Sequence, residues 1–114
     1  MKAKNSVHAI RKVSIDVSTF TGTEDFLAIN DEGLPDACFI LRMVNDSDTD
    51  CIISYSGIHA HDYIPAGENL QIMVPDWAPD RANFALGTIV YAAGEQQGTG
   101  RLHLIGYYRG QKTP

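Results

Sequence analysis

A chain of 114 residues, 44% hydrophobic and 20% charged, can bury one real core without disulfides or a structural metal, leaves little room for two domains, and is not disordered by composition. Nine Lys and Arg against fourteen Asp and Glu give a net charge of −5, which argues against nucleic acid as a partner, because phosphate neutralisation needs clustered cations. No apolar run approaches the roughly 18 residues of a membrane span, and the basic N-terminus lacks the apolar segment of a secretory signal, so no membrane association is expected.

The first residues are expected to form a short, flexible, basic arm, about residues 1–7, on a single domain that takes in residues 1–114. Lys2, Lys4, Arg11 and Lys12 make this end locally cationic, and a solvated arm is the plainest reading. From His8 to Phe20 the pattern alternates. Val13, Ile15 and Val17 share one face, and Lys12, Ser14, Asp16 and Ser18 the other, which is the period-2 signature of a half-buried strand. Thr21-Gly22-Thr23 is expected to end it. Phe26, Leu27 and Ile29 suggest a short strand, and residues 30–36 a loop punctuated by Gly33 and Pro35.

Residues 37–44 are apolar nearly throughout, as in a strand covered on both faces. Phe39, Leu41 and Met43 share one face, Cys38, Ile40 and Val44 the other, and Arg42 is the one charge. Residues 45–50 are turn-forming types, and Cys51 to Tyr55 returns as a strand, so an antiparallel hairpin is expected. Across such a hairpin Cys38 and Cys51 lie too far apart to bridge, which predicts two reduced thiols and fits folding inside a cell.

Pro65-Ala66-Gly67 is a further turn, after which Leu70, Ile72 and Val74 alternate. Two prolines make residues 75–80 a loop, residues 81–86 suit one helical turn, and residues 87–93 form a strand carrying Ile89 and Tyr91. Residues 94–100 are expected to be a hairpin loop. Arg101 to Arg109 is the last strand, with Leu102, Leu104 and Tyr108 on one face and His103, Ile105 and Tyr107 on the other. Gly106 within it signals a bulge or a close backbone approach. Seven to eight mostly antiparallel strands without a long helix predict an all-β chain, a single β-sandwich or jelly-roll-like domain.

Few constellations carry chemistry. Asp46, Asp48 and Asp50 have the opening spacing of an EF-hand loop, but Cys51 and Gly57 stand where that loop needs Gly and a bidentate Glu. His59 and His61 point to one side if they lie on a strand, so they are the candidate metal ligands, although further ligands do not follow at suitable spacing. No Gly-x-Ser-x-Gly elbow or phosphate loop exists, and both cysteines sit in or beside apolar runs that suppress thiolate formation. The residues thus predict no catalytic group and no cofactor. Trp77 in its Pro-rich loop and the adjacent pair Tyr107 and Tyr108 are the candidate interface anchors, with Lys2, Lys4, Arg11 and Lys12 as cationic candidates.

Four stretches add a resemblance. Arg42-Met43-Val44-Asn45, Ile53-Ser54-Tyr55-Ser56-Gly57, the run His61 to Leu70 (HDYIPAGENL) and Gly98-Thr99-Gly100 through Tyr107-Tyr108 together resemble a group of short proteins encoded among the virion genes of tailed bacteriophages. The likeness covers about residues 37–109. Ser56 departs from it where an acid is more usual, and so does the added His59. The resemblance implies a non-enzymatic structural protein of the virion, made in the host cytoplasm. The expected role is that of a capsid cement or decoration protein, homo-oligomeric and bound to the major capsid protein or other virion proteins. A head–tail connector or tail-associated protein is the alternative, and a cupin-like metal-binding protein or a carbohydrate-binding module are the more remote ones.

Overall fold

Alternation along two long strands places the core. In the computed structural model, which describes residues 7–73, 84–95 and 98–109, β4 (Ile40–Ser47) buries Leu41, Met43 and Asn45 and leaves Ile40, Arg42 and Val44 half-buried on its other side. β9 (Gly100–Arg109) repeats this, with Leu102 and Leu104 fully buried and Arg101, His103 and Ile105 facing out. The remaining strands are β1 (Val7–Ala9), β2 (Val13–Asp16), β3 (Gly22–Ala28), β5 (Cys51–Ser54), β6 (Asp62–Ile64), β7 (Asn69–Met73) and β8 (Tyr91–Gly94).

Two antiparallel sheets pack face to face. Sheet A has the order β1-β9-β4-β7, with β2 also paired to β9, and sheet B has the order β3-β8-β5-β6. The pairings are nested: β5 with β6, β4 with β7, β3 with β8, and β1 and β2 with β9. A nested set of this kind is one long hairpin rolled onto itself, the jelly-roll arrangement. Val17, Phe20, Leu41, Met43, Ile53, Ile64, Val90, Leu102 and Leu104 fill the space between the sheets. Each fully buried Leu, Ile or Phe contributes about 1.5–3 kcal/mol.

The expected all-β sandwich is thus observed, but its connections differ from the sequence reading. Residues 48–50 do not close a hairpin: β4 lies in sheet A and β5 in sheet B, so the chain arches from one sheet to the other. The link 65–68 is an arch too, and β8 and β9 likewise lie in different sheets, so they do not form the hairpin expected around residues 94–100. Arches leave backbone carbonyls without ladder partners, and such groups need other donors. Asn45, at 1% exposure, supplies them. Its amide donates to the carbonyls of Thr49 (2.8 Å), Ile64 (3.0 Å) and Pro65 (3.2 Å), and Ser47 Oγ donates to its Oδ1.

Other boundaries also shift. The strand expected over residues 8–20 breaks at residues 10–12 and ends in a 3-10 turn, Val17–Thr19, where Asp16 accepts from the Ser18 N–H at 2.9 Å. Gly22 begins β3 rather than ending β2, and the β3–β8 register shifts between Gly22 and Leu27. β4 starts at Ile40, after Cys38 has made an isolated bridge to Phe84. β8 is shorter than expected, although Val90 just before it is fully buried. Gly106 marks a close approach: β9 stays in register there with β4, and a Cβ would lie 2.8 Å from Cys38 Sγ. Both cysteines are free and buried. The expected 75–80 loop, Val74, residues 81–83 of the helical turn, the N-terminal arm before Val7 and the tail lie outside the described residues.

Candidate functional site

The β5–β6 loop carries the two candidate metal ligands. Ser54 Oγ accepts from the Gly57 N–H (2.8 Å), and Ser56 Oγ accepts from the N–H groups of Ile58 and His59 (both 3.1 Å), which curls the loop back over sheet B. Gly57 has φ +81°, a backbone conformation other residues rarely adopt, and rests on the Tyr91 ring, which a Cβ there would crowd at 3.0 Å. His61 Nδ1 accepts from the Tyr55 N–H at 3.0 Å, and the two rings stack at 5.5 Å. The Tyr55 hydroxyl in turn donates to Asp62 at 2.6 Å, and burial together with this carboxylate pushes its pKa up. One nitrogen of His61 is therefore committed to holding the loop. His59 is exposed, and among the described residues no group of three or more His, Cys, Asp or Glu could hold a metal ion.

A groove of about 470 Å³ lies on the outer face of sheet B, where the arches meet it. Ile52 and Tyr63, opposite one another in the ladder, form its apolar side, and Thr23, Asp48, Asp50 and Glu95 supply polar groups. Tyr63 is 57% exposed. Two of the acids also tie arches together. Asp48 exchanges bonds with Thr99, accepting from its N–H at 2.8 Å and donating its own N–H to the Thr99 carbonyl at 3.1 Å. Asp50 accepts from the Ala66 N–H (2.9 Å) and the Tyr63 hydroxyl (2.8 Å). These backbone donors hold both carboxylates below their ordinary pKa, so they are anions at neutral pH. Two of the three EF-hand-like acids, Asp48 and Asp50, thus build the arches, while Asp46 lies on β4.

The outer face of sheet A is different in character. Register aligns Met73, Ile40, Tyr107 and Ala9 in one row across four strands, with Gln71, Arg42 and Ile105 in the next. Met73 is 54% exposed; Ile40, Arg42, Ile105 and Tyr107 are half-buried. Two residues further on, His103 stands between Val44 and Ser14. Burial first, then the Lys12 charge, lowers its pKa, and its Nδ1 is buried without a partner among the described residues.

The sequence candidates are thereby dispersed. Tyr107 faces out from sheet A, whereas Tyr108 packs against the core and stacks on His8 at 5.3 Å. Arg11 and Lys12 are exposed in the link between β1 and β2. Trp77, Lys2 and Lys4 lie outside the described residues. Sequence reasoning missed Asn45 and Tyr63. An Asn closing an apolar run was the available signal for the first, and an aromatic between Asp62 and Ile64 on a short strand for the second. No protein-family model matches this chain, and no curated protein does.

Proposed function

We propose that this chain is a non-enzymatic structural protein of a tailed-phage virion, a cement protein that binds the assembled head and stabilises it. One observation carries the reading. The stretches that resemble phage virion proteins are spent on building the sandwich: Asn45 and the Pro65–Gly67 turn lock two arches, Ser54 and Gly57 shape the β5–β6 loop, and Gly100 lies against the backbone of Asp46 and Ser47. Residues committed to a rigid scaffold suit a protein whose work is adhesion, in which buried area rather than bond chemistry supplies the effect. The apolar outer row of sheet A offers such area.

The test is co-sedimentation of the purified chain with assembled phage heads, with isolated tails as the parallel sample. Saturable binding to heads, with heads that resist heating better when coated, is the expected result. Binding to tails alone moves the protein to the tail or the head–tail joint. Binding to neither overturns the reading.

A further inference from the structure

Charge is distributed unequally between the two layers. Among the residues whose side chains are described, every Lys and Arg lies on sheet A or in its β1–β2 link: Arg11, Lys12, Arg42 and Arg101. The four strands of sheet B and the loop between β5 and β6 contain none, while Glu24, Asp25 and Asp62 lie on them. On sheet A, Arg101 stands between Asp16 and Asp46 across the ladder. Arg42 instead stands between Gln71 and Ile105, so no acid is directly opposite it. Arg42 therefore presents a cation beside the apolar Met73–Ile40–Tyr107 row. The groove on sheet B presents the complement: an apolar wall of Ile52 and exposed Tyr63 beneath Asp48, Asp50 and Glu95.

We propose that the outer face of sheet A docks on the groove face of sheet B of a second copy, with the Met73–Ile40–Tyr107 row against Tyr63 and Ile52 and Arg42 directed at Glu95 and Asp50. Both surfaces pair an apolar patch with charge, and the charges are opposite, which sets partner and orientation. The two surfaces lie on opposite sides of one sandwich, so a single chain cannot satisfy itself. The contact is also heterologous rather than two-fold, so association proceeds to a ring or an open stack and does not stop at a dimer. This deepens the cement reading by specifying how copies would meet, but it concerns the chain by itself. Sedimentation of the pure protein reads it, and capsid binding reads the other, so either can fail alone.

The experiment is sedimentation velocity on the full chain over a concentration series, at about 0.05 M and about 0.5 M salt, between which screening of the charge pair rises steeply. Concentration-dependent species larger than a dimer, weakened at high salt, are expected. Arg42→Glu and Glu95→Arg each place like charges across the contact and should weaken association at least about tenfold. Mixing the two variants in equal amounts should restore it, as should the double variant Arg42→Glu/Glu95→Arg. Circular dichroism and thermal melts of each variant keep a folding defect apart from lost contact. A chain that stays monomeric at concentrations on the order of 1 mM at low salt overturns the proposal. So does association that neither swap weakens, or a loss that mixing fails to restore. A groove that instead takes up a sugar from a glycan panel while the chain remains monomeric overturns it too.

Discussion

The side-chain amide of Asn45 donates to the backbone carbonyl of Ile64 at 3.0 Å, joining a strand of sheet A to a strand of sheet B across 19 residues of sequence. The same amide reaches Thr49 and Pro65, and the Asn45 backbone bonds Gly67 and Glu68. One buried residue thus secures two arches.

Asn45→Ala should therefore cost on the order of 3 kcal/mol, because it removes the donors and leaves buried carbonyls unpaired. Asn45→Asp should be at least as damaging at neutral pH, since a carboxylate would face three carbonyl oxygens with no proton to give. Urea unfolding checks this: the midpoint should fall while the slope stays constant.

Asp48 and Asp50 predict a specific acid response. Both have folded pKa values below the ordinary 3.8, through backbone donors first and side-chain hydroxyls second. A carboxyl lowered on folding contributes stability that is complete above its unfolded value and lost as pH falls through its folded value. Melting temperature should therefore decline below about pH 4. Asp50→Asn should lower it near neutral pH, and the gap from wild type should close toward the acid limit, where wild-type Asp50 is protonated as well. A gap independent of pH would show that the charge is not what matters there.

The two thiols should be inert in the native state. Burial pushes Cys51 up to about 12 and raises Cys38, with Asp50 and Asp36 adding to the respective shifts. For Cys51 this cuts the thiolate fraction at neutral pH by about a thousandfold relative to a free thiol. A colorimetric thiol reagent should titrate almost no sulfur in buffer and both cysteines in denaturant.

Gly106→Ala should destabilise the sandwich by about 1–3 kcal/mol. Its new methyl would lie 2.8 Å from Cys38 Sγ and 3.3–3.4 Å from Ile10 and Leu41 side-chain carbons. If the thiol is the obstacle, Cys38→Ala in the same chain should recover part of the loss. A double-mutant cycle by thermal or urea unfolding measures that coupling.

Much of this architecture is written in local pattern. Alternating Val13, Ile15 and Val17, the apolar run through Leu41 and Met43, and the Leu102–Leu104 pair each announce a strand and its buried face, because side chains on an extended backbone change sides at every residue. The same rule separated Tyr107 from Tyr108. Burial of both thiols followed from their apolar context, whereas their free state was expected from a hairpin that the chain does not form.

Pairing is another matter. Residues 45–50 have the composition of a hairpin turn and instead carry the chain between layers, because β4 finds its partners in β7 and β9, about 30 and about 60 residues away, rather than in β5. A short polar link is compatible with either path. Which one is taken depends on the burial of both faces at once and on distant carbonyls that only the folded chain brings to Asn45. For the same reason the groove beneath Tyr63 and the segregation of cations onto one sheet could not be read along the chain: both are sums over strands made neighbours by the roll.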